Sequence, residues 1–92
     1  MNNEPLHRQS VMIQNQRGLH ARAAAKFVET ANQFNADIAV GKSGQTVSGF
    51  SIMGLMMLAA GPGSKIEIQT NGPEAEDALN ALVKLVEDEF HE

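Results

Sequence analysis

The residues best suited to chemistry are His20 and Arg22, which lie within residues 17–22, just ahead of an alanine-rich segment. Gly18 allows the backbone to turn there, and the apolar spacing that follows predicts a helix opened by His20. Unpaired N–H groups and the positive dipole end at a helix start attract anions, including phosphoryl groups. Because imidazole is a nucleophile that titrates near neutral pH, His20 could carry phosphate covalently while Arg22 holds its oxygens.

The residues alone leave a second interpretation of His20 open, since a histidine after Gly-Leu is often only a loop or cap residue. His7 and His91 lie near the ends of the sequence and have no ligand-like spacing to His20, so we expect no metal site. The sequence contains no phosphate-binding glycine loop, nucleophile elbow or paired-carboxylate motif. An enzyme with its own substrate pocket is therefore the weakest alternative.

Ser51 is the second residue of interest, because it directly precedes an apolar run predicted to be helical over residues 52–60. A serine in that position is a good N-cap, and capping is its commoner role. Phosphorylation of Ser51 would meet a favourable dipole and would place about −2 charge on the surface.

The predicted helix 52–60 has almost no polar face. It must be buried on all sides or offer an apolar surface to a partner, and methionines are frequent on surfaces that accept several partners. Ordinary core packing is the alternative. We expect a split face, with Leu55 and Leu58 buried and with Ile52, Met53 and Met56 partly exposed.

Hydrophobic periodicity predicts the element order β-α-β-β-α-β-α. The strands are predicted over residues 9–15, 36–40, 45–49 and 64–70, and the helices over residues 21–34, 52–60 and 74–90. Asn35 is expected to end the first helix in a left-handed conformation. This order indicates an α+β fold with a four-stranded antiparallel sheet, one face of which is covered by the long helices. Residues 1–7 are predicted to form a flexible tail, and residues 8–92 a single domain.

Composition excludes several classes of protein. The formal net charge is −4 with only 7 Lys and Arg and no Trp or Tyr, which argues against a nucleic-acid surface. We find no transmembrane segment and no signal peptide, and the absence of cysteine removes disulfide and thiol chemistry. The expectation is a cytoplasmic, monomeric protein without a cofactor, whose partners are other proteins.

Two segments together resemble the HPr family, the histidine-containing phosphocarriers of the bacterial phosphoenolpyruvate-dependent phosphotransferase system. Residues 18–25, GLHARAAA, are similar to the family's active-site signature, and residues 51–58, SIMGLMML, are similar to its regulatory-serine signature. The resemblance covers about residues 8–90. It implies an open-faced β-sandwich, with the four-stranded antiparallel sheet carrying three helices on one face.

The resemblance also implies roles for particular residues. His20 matches the histidine that accepts a phosphoryl group on Nδ1 from enzyme I and passes it to IIA-type proteins, so the chain would be a carrier and not an enzyme. Arg22 matches the arginine that supports the phosphate. Ser51 matches the serine that HPr kinase/phosphorylase modifies in some lineages. The docking surface for these partners matches Ile52, Met53 and Met56.

Two residues depart from the family pattern. Ala23 stands where most members have proline, which leaves one more N–H donor and a looser first turn. Phe50 precedes Ser51 where a basic or polar residue is common. Ala23 and the Met-rich helix resemble the nitrogen-related regulatory branch more than the sugar-transport branch. The alternative from another class is a non-catalytic regulatory domain that docks through the Met-rich helix and uses His20 only as a cap.

Overall fold

A four-stranded antiparallel sheet and three helices make up the computed structural model, which describes residues 6–92. The strands are β1 (His7–Met12), β2 (Asp37–Lys42), β3 (Gln45–Ser48) and β4 (Lys65–Asn71). The helices are α1 (Ala21–Ala31), α2 (Ile52–Met57) and α3 (Ala75–Glu87), followed by a short terminal turn (Glu89–His91). The predicted α+β class, element order and open-faced sheet are confirmed.

The strands lie in the order β1-β4-β2-β3, so the first strand pairs with the last one. His7 lies opposite Thr70 at one end of that pair, and Met12 lies opposite Lys65 at the other. β2 and β3 form a hairpin whose two turn residues, Ser43 and Gly44, have φ of 51° and 83°. Positive φ at both positions gives the turn the twist that a two-residue hairpin needs.

One face of the sheet is buried beneath the helices. β4 alternates along its length, with Ile66, Ile68 and Thr70 buried and the residues between them at least partly exposed. α3 packs on β1 and β4, α1 packs on α3, and the short α2 lies beside α1 and β3. α1 is therefore held by α3, which lies on the sheet, and α2 lies next to α1.

All three helices end earlier than the apolar periodicity predicts. α1 ends at Ala31 and not at residue 34, and Asn35 does not adopt the predicted left-handed conformation. The Asn35 N–H instead donates to the Glu74 carboxylate at 2.6 Å, and the Asn35 carbonyl accepts from the Glu74 N–H. These bonds tie the chain after α1 to the start of α3, a tertiary constraint that periodicity does not contain.

α2 ends at Met57 because Ala59 turns into the left-handed region, with φ of 53°. α3 ends at Glu87, and Glu89, Phe90 and His91 then all have positive φ, between 56° and 61°. Phe90 is fully buried, as predicted, but it enters the core from the terminal turn and not from the helix.

The N-terminal boundary also shifts. Residues 1–5 of the predicted tail lie outside the described residues, and β1 begins at His7, two residues before the predicted strand. Within residues 6–92, no helix has both the length and the apolar character needed to cross a membrane. The same residues contain no cluster of three His, Asp or Glu side chains that could hold a metal ion.

Candidate functional site

His20 is the N-cap of α1, as the sequence predicts. Its backbone is extended, and its carbonyl accepts the first helical hydrogen bond, from the Ala24 N–H. The ring folds back over the helix start, where Nδ1 accepts a hydrogen bond from the Arg22 N–H at 3.3 Å. About a quarter of the His20 side chain, 23%, is exposed to solvent. The ring is thus accessible from solvent, and its hydrogen bond to the start of α1 sets its orientation.

The loop before His20 is pressed against the segment that follows α2. The Leu19 N–H donates to the Ala60 carbonyl at 2.9 Å. Gly18 has φ of 63°, and a Cβ placed on it would lie 2.3 Å from the Ala60 oxygen. Only glycine fits this approach without moving the backbone. Gly18 therefore allows the close backbone approach that positions the loop before His20.

The other ring nitrogen of His20 contacts Glu92, a residue that the sequence reasoning did not single out. Nε2 and the Glu92 Oε2 are 2.7 Å apart. Since Nδ1 accepts an N–H bond in the neutral ring, Nε2 carries the proton and donates it to the carboxylate. This hydrogen bond lowers the pKa of the Glu92 carboxyl against the opposing effect of desolvation, and the hydrogen bond from Asn15 and the charge of Arg17 act in the same direction.

Asn15 is the buried part of this arrangement. It is fully buried, and its amide nitrogen donates to the Gly18 carbonyl at 2.8 Å and to the Glu92 Oε2 at 3.0 Å. A single side chain thus fixes the loop before His20 and the carboxylate that faces the ring.

Arg22 lies at the second position of α1 and is exposed. Within residues 6–92 its guanidinium makes no ion pair. Beside His20 is a shallow depression of about 300 Å³, lined by Arg17, Leu19, Met56 and the segment 59–61. A second arginine, Arg17, therefore borders the site. A slightly larger depression, of about 340 Å³, lies near the β2–β3 turn and contains none of the predicted site residues.

Ser51 is the N-cap of α2, and its hydroxyl accepts a hydrogen bond from the Gly54 N–H at 2.9 Å. Ser51 does not line the depression beside His20. Gly54 keeps the cap tight, because a Cβ there would lie 3.1 Å from the Ser51 oxygen. The predicted capping role is confirmed, and the side chain remains partly exposed.

The predicted split of α2 is also confirmed. Leu55 and Leu58 are 0% and 3% exposed, whereas Met53 is 71% exposed. Four further apolar side chains around Met53 are exposed, and we call the set the α2 patch: Phe50, Ile52, Met53, Met56 and Met57. Met56 belongs both to this patch and to the depression beside His20, so the two surfaces are continuous.

Sequence reasoning missed Asn15 and Glu92 for different reasons. Asn15 follows Val11 and Ile13 in the alternating pattern of the first strand, so a polar residue at an inward position was a visible signal. Glu92 lies far from His20 in the sequence, within an acidic region, and no local pattern marks it.

Fold and site together define a small α+β protein with a solvent-accessible histidine at a helix start, beside an apolar surface. The family profile described as "PTS HPr component phosphorylation site" matches residues 7–88. Phosphocarrier protein HPr of Neisseria meningitidis serogroup B is 48% identical over 85 residues, which cover 92% of this chain and 96% of that protein.

Solved structures agree with this assignment. HPr of Bacillus anthracis is 49% identical with a TM-score of 0.84, covering 88% of this chain and 96% of that one. HPr-C-His of Thermoanaerobacter tengcongensis is 41% identical with a TM-score of 0.90, covering 94% and 97%. The chain belongs to the HPr family, the phosphocarrier proteins of the phosphotransferase system.

Proposed function

We propose that His20 is the phosphoryl acceptor of this phosphocarrier, taking the group from phospho-enzyme I and passing it to IIA-type proteins. The observation that carries the proposal is the ring geometry: Nδ1 faces the Arg22 N–H at the start of α1, while Nε2 is occupied by Glu92. Nδ1 is therefore the nitrogen with an unshared electron pair available for phosphorus.

The transfer step is an in-line displacement. The Nδ1 electron pair forms a bond to phosphorus as the donor's bond to the same phosphorus breaks, and the donor's group leaves with that electron pair. The proton on Nε2 does not move. The Arg22 N–H, released from Nδ1, then faces the new phosphate oxygens, where the positive end of α1 favours their charge. Transfer to an acceptor reverses these steps.

Arg22 is proposed to support the phosphate from the solvent side. Its guanidinium is exposed at the first turn of α1, which leaves it available for charge-assisted bonds to phosphate oxygens. A partly exposed site stabilises the phosphohistidine only modestly, which suits a carrier that must release its load.

The α2 patch is proposed as the docking surface for enzyme I and IIA-type proteins, with Ile52, Met53 and Met56 in contact with them. Its continuity with the depression at His20 supports this role. A Met53→Asp substitution should raise the KM for phospho-enzyme I, because a charge would be buried in an apolar contact. Met12→Asp, at an exposed methionine on β1, is the matched control and should leave that KM unchanged. The same KM for phospho-enzyme I in Met53→Asp and in Met12→Asp would refute docking at α2.

Ser51 is proposed as a regulatory phosphorylation site for a kinase of the HPr kinase/phosphorylase type. Its phosphate would add about −2 charge beside the apolar patch and would oppose docking. A Ser51→Asp variant should accept phosphate from enzyme I more slowly, whereas Ser10→Asp, on the exposed sheet face, should not. A Ser51→Asp protein as fast as the parent would contradict the mechanism.

The finer assignment is to a cytoplasmic, monomeric carrier of the nitrogen-related branch that turns over no substrate of its own. Ala23 and the Met-rich α2 support the branch. Faster acceptance from a nitrogen-branch enzyme I than from a sugar-branch enzyme I is the expected result, and the opposite preference would overturn this assignment.

The decisive experiment measures phosphate incorporation from phosphoenolpyruvate and enzyme I. The parent should acquire acid-labile phosphate, and His20→Ala should acquire none while remaining folded by circular dichroism. His7→Ala, at the far end of β1, is the control and should behave like the parent. A parent that takes up no phosphate from a competent enzyme I would favour a non-catalytic domain that docks through the α2 patch.

A further inference from the structure

We propose that Glu92 is a positioning residue for phosphoryl transfer: its carboxylate holds the Nε2–H of His20 and so presents an unprotonated Nδ1 to the incoming phosphorus. The inference rests on the proposed function of His20 and adds a second residue to it. Its basis is the 2.7 Å distance between Nε2 and the Glu92 Oε2.

The contact between Glu92 and His20 is constrained by a third side chain. The same Glu92 oxygen also accepts a hydrogen bond from Asn15, which is fully buried, at 3.0 Å. Only 26% of the Glu92 side chain is exposed. The carboxylate oxygen is therefore held from the interior by Asn15 and meets the ring from a fixed direction.

The backbone that delivers Glu92 is strained. Three consecutive residues without glycine's freedom, Glu89, Phe90 and His91, all have positive φ. Such a conformation persists only where surrounding contacts enforce it. Here Phe90 is fully buried, and its carbonyl accepts a hydrogen bond from the Lys26 ammonium group at 2.7 Å. The turn is thus anchored to α1, the helix that His20 caps.

The charge of Glu92 suits the transfer step. As the Nδ1–phosphorus bond forms, positive charge develops on the ring, and a carboxylate at Nε2 stabilises it, as in the His–Asp pair of serine hydrolases. When the phosphoryl group leaves, the ring returns to its neutral form with the same proton still on Nε2. The phosphate binds at the opposite edge of the ring, next to the Arg22 N–H, so its charge is kept away from Glu92.

The test compares Glu92→Gln, which removes the charge and keeps the shape, with Glu89→Gln, a matched change at an exposed residue of the terminal turn. In transfer from phospho-enzyme I, Glu92→Gln should lower kcat about tenfold with KM unchanged, the effect of about 1.4 kcal/mol in the barrier. Glu89→Gln should match the parent.

A second readout needs no phosphate. In the unphosphorylated parent, NMR should detect the His20 Nε2 proton protected from solvent exchange, and the Glu92 carboxyl should titrate below its ordinary range. His20→Ala should return that titration toward the ordinary range.

The outcomes separate the two claims. If the parent accepts phosphate but Glu92→Gln is equally fast, or if the Nε2 proton exchanges freely, the role of Glu92 is refuted and His20 remains the acceptor. If the parent accepts no phosphate, both proposals fall. A slow Glu92→Gln variant whose melting temperature has collapsed would be purely structural, and this result also counts against a positioning role.

Discussion

At the scale of single residues, the two ring nitrogens of His20 have different hydrogen-bond partners. One edge meets a backbone N–H and the other meets a carboxylate, at 3.3 and 2.7 Å. The sequence predicted the contact with the helix start, because a cap position for His20 follows from a glycine turn and an alanine-rich helix. It could not predict the contact with Glu92, since Glu92 lies far away in the sequence and comes close to His20 only when the whole chain folds.

Arg22 provides a prediction at this scale. Arg22→Ala should slow acceptance from phospho-enzyme I about tenfold, because an exposed charge-assisted bond to phosphate contributes roughly 1.4 kcal/mol to the transition state. Arg22→Lys should recover part of this loss, since it keeps the charge but not the bidentate fork. Rapid-quench kinetics measures both variants. Arg8→Ala, on β1, is the control, and a comparable slowing there would indicate only a general charge effect.

Glu92 provides a second prediction, on pH. Its pKa is lowered in the folded state from an ordinary value of 4.5, first by the hydrogen bond from His20, with Asn15 and Arg17 also contributing. A lowered carboxyl pKa stabilises the folded state fully above the unfolded value, and this contribution is lost as pH falls through the folded value. The parent should therefore be more stable than Glu92→Gln at pH 6, and the difference should vanish in strong acid. Urea denaturation at a series of pH values measures it, and a pH-independent difference would contradict the assignment.

At the scale of elements, periodicity predicted which faces are buried better than it predicted where helices end. Leu55 and Leu58 were expected to be buried and are buried, because the apolar side of α2 that carries them packs against the core. The ends of α1 and α3 are set by contacts with distant residues, such as the Asn35–Glu74 pair and the insertion of Phe90. Such contacts leave no mark in the local spacing.

The end of α2 leads to a prediction about Ala59, which holds φ of 53° although it carries a Cβ. Ala59→Gly should stabilise the fold by about 0.5–1 kcal/mol, because relief of the left-handed strain exceeds the added entropy of the unfolded chain. Ala25→Gly, in the exposed interior of α1, should instead destabilise it by about 1 kcal/mol. Equilibrium urea unfolding measures both changes. The same sign for the two would show that Ala59 is not strained.

At the scale of the whole molecule, core and site share residues. Phe90 fills the core and, through its turn, sets the position of Glu92 beside His20. The predicted single domain can hold such an arrangement because α3 packs on the sheet while α1 packs on α3 and on the terminal turn. Stability and phosphoryl transfer should therefore be coupled at this point.

A Phe90→Leu substitution tests that coupling. It should lower the free energy of unfolding by about 1–3 kcal/mol, through lost packing, and should also slow phosphate acceptance. Phe50→Leu, at a 39% exposed phenylalanine, should change stability by no more than about 0.5 kcal/mol. Calorimetry and the transfer assay measure the two effects. Loss of stability with full transfer activity would show that the turn does not control the site.

The pairing of β1 with β4 has a consequence for biosynthesis. β1 is synthesised well before β4, its partner strand in the sheet that residues 6–92 form, and Glu92 comes later still. Such distant pairing slows folding, because a long loop must close before the contacts stabilise it. Until β4 is made, the backbone N–H and C=O groups of β1 are unpaired and open to strands of other chains. His20 should therefore emerge before its carboxylate partner is made, and the contact between His20 and Glu92 should form only late in folding.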